Sequence, residues 1–196
     1  MTHLTYMPGQ ENFSKFKTEL MRPIQMVDTK TQYHKIKPEV DKAVIEVMES
    51  TAFINGKAVQ EFTAHLSGYI GAKHTIPCAN GTDALQIAMI ALGLQPGDEV
   101  ITPSFTYIAT TEVIALLKLR PVFVEVDAKT FCMDPVSLEK AINSRTKAIV
   151  PVHLYGQPAD LRSLRTLARG AGAVLIQDAC QSHGALHRGK PLSYYG

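Results

Sequence analysis

The chain has 196 residues, 45% hydrophobic and 19% charged, the balance of a water-soluble globular domain long enough for one sizeable core. Its net charge of +2 argues against a nucleic-acid or anionic-membrane surface, and no apolar run approaches a membrane span. Three cysteines, Cys78, Cys132 and Cys180, are odd in number and far apart, which argues against a disulfide framework and points to a reducing, cytoplasmic setting.

Residues 1–27 show no convincing period and read as a flexible extension, without the apolar centre of a signal peptide. Residues 28–70 read as a helical segment. Pro38 suits a first helical position, and Val40, Ala43, Val44 and Val47 follow at i, i+3, i+4 and i+7. A second helix over 57–69 carries Val59, Phe62 and Leu66 on one face.

From residue 71 to 196 strands and helices alternate. The expected strands are 75–79, 99–102, 122–126, 148–152 and 174–178, with helices over 82–92, 107–117, 135–142 and 159–169. Continuous apolar strands separated by helices predict an α/β fold, a mostly parallel sheet covered on both faces. The 83–92 helix is apolar nearly all round and is expected to be buried. Pro151 cannot donate to a sheet ladder, so it belongs near a strand's end or at an edge.

Ligands of open α/β sheets bind beyond the carboxyl ends of the strands. Those ends carry Asn80-Gly81-Thr82-Asp83, then Pro103-Ser104-Phe105-Thr106-Tyr107, Asp127, His153-Leu154-Tyr155-Gly156-Gln157, and Asp178 with Gln181. Gly81 and Thr82 open a helix where free N–H groups and the helix dipole can seat a phosphate; the same residues would also make an ordinary cap. Tyr107 can lay a ring against a planar ligand or pack as a core aromatic. Asp178 closes an apolar strand and needs a cation, for which a protonated pyridine ring is the candidate; a capping or loop acid is the alternative. Gln181 can reach an oxygen of that ring or stand as a surface amide. His153 reads as a packed or lining residue. His183 and His187 lack acidic partners, so no metal site is expected. The dinucleotide and P-loop glycine fingerprints are absent.

Taken together, these segments resemble the DegT/StrS-type sugar aminotransferases of the fold-type-I pyridoxal phosphate (PLP) superfamily. The resemblance rests on Phe53-Ile54-Asn55-Gly56, Asn80-Gly81-Thr82-Asp83-Ala84-Leu85, Pro96-Gly97-Asp98-Glu99-Val100-Ile101, Pro103-Ser104-Phe105-Thr106-Tyr107-Ile108-Ala109-Thr110, Pro151-Val152-His153-Leu154-Tyr155-Gly156-Gln157 and Asp178-Ala179-Cys180-Gln181. It implies the three-layer large domain of that superfamily, cut before its smaller C-terminal domain. It also implies that Gly81 and Thr82 hold the PLP phosphate, Tyr107 stacks on the ring, Asp178 pairs with the pyridine nitrogen, and Gln181 lies near the phenolic oxygen. Where many relatives have an acid before that Asp, this chain has Gln177, and Cys180 replaces a usual Ala. The family's Schiff-base lysine is expected beyond Gly196, Lys190 being too early, so no catalytic residue is assigned and the chain is expected to be inactive alone. The implied reaction moves an amino group from glutamate to a nucleotide-linked keto sugar, for surface polysaccharides or antibiotic sugars, in an enzyme that is a homodimer when complete. A PLP-dependent sugar dehydratase and a non-catalytic fragment that only binds partners are the alternatives.

Overall fold

A computed structural model describes residues 26–195; the extension expected over 1–27 lies, up to residue 25, outside the described residues. The chain divides into two units, 1–54 and 55–196, taken here in turn.

In the first unit, helix α1 covers Thr29–Ser50. It starts nine residues before Pro38, the expected opening position. Asp28 supplies the start, its Oδ1 accepting from the Thr31 N–H at 2.9 Å, as an N-cap acid should. Pro38 lies inside this helix, and side-chain bonds span the turns on either side of it. The Tyr33 hydroxyl donates to Asp41 at 2.6 Å and accepts from Lys37 at 2.9 Å, and Lys37 also pairs with Asp41. The helix ends where Thr51 turns left-handed.

In the second unit, α2 (Lys57–Ile70) ends at Gly71, whose φ of 67° suits a residue without a Cβ. Then come α3 (Gly81–Ala91), β1 (Glu99–Pro103), α4 (Ala109–Leu116), β2 (Arg120–Val124), α5 (Pro135–Ala141), β3 (Thr146–Ile149), a 3₁₀ turn at Leu154–Gly156, α6 (Leu161–Ala171) and β4 (Val174–Leu175). A small antiparallel hairpin of β5 (Leu186–His187) and β6 (Lys190–Pro191) follows. Its two-residue turn has Arg188 and Gly189 both at positive φ, the geometry that matches strand twist. A second 3₁₀ turn, Leu192–Tyr195, closes the described chain.

The main sheet is parallel, in the order β2-β1-β3-β4. Side chains alternate across it. Ile101 and Ile149 pack with Val124, Met133, Leu138, Leu164 and Ala168 on the α5–α6 side. Val100, Ala148 and Val150 pack with Leu85, Met89, Val113 and Ile114 on the α3–α4 side. The result is the expected α/β sandwich of helices around a parallel sheet.

Two expectations need correction. Residues 75–79 form no strand: the segment is irregular and Ile76 is 80% exposed. An apolar run becomes a strand only with a neighbour to pair, and Pro77 also removes a donor. Helix α3 is buried on one face only, through Leu85 and Met89, while Ile87 and Ile90 are exposed. Pro151 lies where expected, just past β3. There its missing N–H ends the regular ladder, while its carbonyl still accepts from Asp178 N at 2.9 Å.

Candidate functional site

Asp178 is held by its backbone first. Beyond Leu175 the β4 chain continues to follow β3: Ile176 N donates to Ile149 O, Asp178 N to Pro151 O, and His153 N to Asp178 O at 3.0 Å. Val152 and Asp178 form an isolated parallel bridge. Both peptide groups of Asp178 are thus fixed at the carboxyl end of the sheet. The residue is 9% exposed. Its Oδ2 accepts from the Thr110 hydroxyl at 3.0 Å and its Oδ1 from Cys180 N at 3.3 Å. Among the described residues no Lys, Arg or His forms a salt bridge with it. A carboxylate taken this far from water with only neutral donors is costly without a cation from elsewhere.

Gly81 meets this strand end through Cys180. A Cβ built on Gly81 would collide with Cys180 Sγ, so the start of α3 and the β4 end lie close together and a side chain at position 81 would have to turn that thiol aside. Asn80 caps α3, its Oδ1 accepting from Asp83 N at 2.9 Å. That bond leaves the first-turn N–H groups of Gly81 and Thr82 without an intrahelical acceptor. The capping and anion-seat readings are therefore compatible, since the cap uses a different donor. Burial and the neighbouring Asp178 charge push the Cys180 thiol up to about 11, so it stands protonated as a packing group.

Tyr107 lies two residues before α4 and is 70% exposed, so it is not the core aromatic it could have been. Its carbonyl accepts from Thr110 N at 3.4 Å, and Thr110 in turn reaches Asp178. Tyr107 and Asp178, 71 positions apart in sequence, are linked through one intervening residue. Gln181 is exposed, and its Oε1 accepts from Tyr155 N at 2.9 Å. Tyr155 (φ 54°) and Gly156 (φ 86°) take left-handed conformations to make that turn. With its oxygen engaged, the Gln181 amide presents Nε2 as a free donor.

Among the remaining strand-end groups, His153 and Asp127 have structural partners. His153 is fully buried. Its Nδ1 accepts from Ala159 N at 3.0 Å, which leaves the hydrogen on Nε2 to donate to Gln177 Oε1, also at 3.0 Å. Burial holds its pKa below the ordinary histidine range, so the ring is neutral. Gln177 completes the link with an Nε2 donation to Leu192 O at 3.4 Å. Asp127 folds its carboxylate back onto Lys129 N, Thr130 N and the Thr130 hydroxyl, as a turn residue. Thr106 Oγ1, beside Tyr107, is buried without a partner among the described residues. Lys190 lies exposed on β6 with Nζ 5.7 Å from the Tyr194 ring centroid.

Gly81, Tyr107 and Asp178 are therefore joined by contacts running through Cys180 and Thr110, whereas Thr82 only adjoins Gly81 in the chain and Gln181 bonds to Tyr155 instead. Sequence reasoning noted Cys180 only as a departure from the family's usual Ala and did not single out Thr110. Thr110 sits one helical turn after Tyr107, a spacing that marks a shared face, but its partner is 68 positions away. The set suits a phosphorylated pyridine: a helix start narrowed to glycine, an uncompensated buried acid, an uncovered aromatic ring and a spare amide donor.

A model of the family described as "DegT/DnrJ/EryC1/StrS aminotransferase family" matches residues 34–196. The UDP-2-acetamido-2-deoxy-3-oxo-D-glucuronate aminotransferase of Pseudomonas aeruginosa is 49% identical over 167 residues, covering 85% of this chain and 46% of that protein. Among solved structures, Streptomyces venezuelae DesV superimposes with a TM-score of 0.83 at 40% identity, covering 86% of this chain and 46% of the other. NtdA from Bacillus subtilis with bound cofactor PMP (the amino form of PLP) gives 0.74 at 37% identity, covering 76% and 34%. The chain thus spans about half the length, or less, of the relatives it matches.

Proposed function

We propose that this chain, which belongs to the DegT/DnrJ/EryC1/StrS aminotransferase family, is the cofactor-holding part of a PLP-dependent sugar aminotransferase. The reaction is transfer of an amino group from glutamate to a nucleotide-linked keto sugar, in the cytoplasm, for a surface polysaccharide or an antibiotic sugar. The observation that carries this reading is the buried Asp178 carboxylate, which has two neutral donors and no cation of its own among the described residues.

Each residue has a role that follows from its surroundings. Asp178 keeps a proton on the ring nitrogen through a charge-assisted hydrogen bond. The α3 start, with Gly81 and Thr82, receives the phosphate on its free N–H groups and dipole. Tyr107 would cover one face of the ring, and Gln181 Nε2 would donate to the ring oxygen. When bound, the protonated ring supplies an electron sink for carbanion chemistry at the amino-bearing carbon. Residues 71–196 are the cofactor domain in this reading and 28–70 a helical segment leading into it; the complete enzyme is a homodimer. Lys190, exposed and turned to Tyr194, is given no covalent role.

PMP tests this directly because it needs no lysine to bind. Titration of the chain, followed by cofactor fluorescence, is expected to saturate. Asp178→Asn removes a charge-assisted bond worth about 2 kcal/mol, so its affinity is expected to drop about 30-fold. Equal affinities for the two proteins would sink the reading. With PLP and borohydride, no reduced lysine adduct dependent on Asp178 is expected by peptide mapping. Such an adduct on Lys190 would overturn the statement about that residue.

A further inference from the structure

We infer that Thr110 is a positioning residue for the cofactor's ring nitrogen: its hydroxyl fixes the Asp178 carboxylate and ties it to the turn that carries Tyr107. The inference rests on the cofactor reading above and adds a residue to it.

The geometry is specific. Thr110 is 1% exposed, and its Oγ1 lies 3.0 Å from Asp178 Oδ2. Theirs is the shorter of the two hydrogen bonds found on that carboxylate. The other donor, Cys180 N, is longer at 3.3 Å and belongs to Asp178's own loop. That bond orders the carboxylate against its own backbone, whereas Thr110 orders it against a different element. The Thr110 N–H donates to Tyr107 O at 3.4 Å, so its helical turn begins at the exposed ring. Thr110 therefore holds the group that would receive the ring's edge and shares a turn with the group that would cover its face.

A hydroxyl donor at Oδ2 has two effects on a cation presented to the same carboxylate. It sets the plane of the two oxygens, since a bond at one Oδ restricts rotation about the Cβ–Cγ axis. It also leaves the carboxylate's remaining lone pairs in a fixed direction, so that an oriented negative charge is what a ring cation would meet. The neighbouring titratable groups supply no positive charge that could replace it. The His153 ring is neutral through burial and bonded to Gln177, and the Cys180 thiol is protonated.

The test compares Thr110→Val, which removes the hydroxyl at nearly constant volume, with Thr110→Ser, which keeps it. Unsubstituted chain and Asp178→Asn run alongside. Two quantities are read: the dissociation constant for PMP from its fluorescence, and the pH midpoint of the ring nitrogen of bound ¹⁵N-labelled PMP from its NMR shift. Thr110→Val is expected to bind PMP about 10-fold more weakly, with the nitrogen midpoint about one unit lower. Thr110→Ser is expected within about twofold of the unsubstituted chain with the midpoint restored. Should circular dichroism show Thr110→Val unfolded, Thr110→Ala lacks the same hydroxyl without the branched methyl and takes its place.

Weaker binding with an unmoved midpoint would mean Thr110 only supports the local fold, and the inference falls. It also falls if Asp178→Asn loses PMP while Thr110→Val retains both values; the cofactor reading then survives alone. If Asp178→Asn binds as the unsubstituted chain does, or if that chain shows no saturable PMP binding, the cofactor reading fails and takes Thr110's role with it.

Discussion

The parallel sheet buries a carboxylate at each end, and the two are treated in opposite ways. At the amino end Glu99 is 2% exposed and the chain meets its charge in full. Arg145 donates through Nε at 2.8 Å and approaches again through Nη2 at 2.8 Å, Asn143 Nδ2 donates at 2.7 Å, and Arg120 stands 3.7 Å away. At the carboxyl end Asp178 has a threonine hydroxyl and one peptide N–H. Glu99 joins β1 to the first residue of β2 and to the loop before β3, and its charge is met from within the chain. Asp178 has been brought out of water and left with an unmet charge. Burial alone thus says little about function; the balance of partners around a buried acid separates a structural carboxylate from one that awaits a cation.

That contrast is most sharply tested by removing each charge with the same chemistry. Glu99→Gln keeps the shape but loses the charge-assisted bonds to Arg145, and a loss of about 2 kcal/mol in urea unfolding at pH 7 is expected. Asp178→Asn in the same ligand-free chain is expected to stay within about 1 kcal/mol of the starting stability, or to gain, because it relieves an uncompensated charge. If the two losses are equal, the two acids are alike and the comparison fails. Arg145 is 64% exposed, which lets water recover part of its bond and keeps the Glu99 effect below that of a fully buried pair.

A smaller effect probes how tightly the carboxyl end is closed. Gly81→Ala places a methyl against Cys180 Sγ, an overpacking expected to cost about 1 kcal/mol because the exposed sulfur can turn aside. Its mark is coupling: combined with Cys180→Ala, the substitution should recover most of that loss in a double-mutant cycle. Strictly additive losses would show that Gly81 and Cys180 do not press on one another.

These two ends also show what a sequence can reveal. Asp178 stood out because a carboxylate terminating Val174-Leu175-Ile176 is anomalous on local grounds, and the alternation of apolar runs with helical periods carried the fold class. Thr110 and the Glu99 partners did not stand out, because each acts through a contact across tens of residues that no local pattern encodes. Residues 75–79 failed for the same reason in reverse: Ile76 and its neighbours have strand-like composition, but a strand is a property of a pair. At Pro38 the local signal was real yet outweighed, since the Asp28 cap and the Tyr33–Lys37–Asp41 bridge carry α1 through a residue that usually opens a helix. The family resemblance gathers a candidate set that spacing alone could not, because it names residues by segment regardless of how far apart they lie.

The smallest expected effect is the response of the amino end to acid. The Asn143 hydrogen bond, followed by the Arg145 and Arg120 charges, holds the Glu99 carboxyl below its ordinary value near 4.5. A group whose folded pKa is depressed adds stability that is fully present above its unfolded pKa. That stability is lost as pH falls through about 4.5 and down through the folded value, because the unfolded chain takes up the proton first. Other acids in the chain with depressed values, Asp41, Asp127 and Asp160 among them, add to the same slope, so the decisive quantity is a difference. Urea unfolding from pH 7 to pH 4 is expected to show a shallower fall for Glu99→Gln than for the unsubstituted chain. Parallel curves for Glu99→Gln and the unsubstituted chain would show that the arginines and Asn143 do not discriminate the charged form of Glu99, and the amino end would lose its claim to be the self-neutralised one.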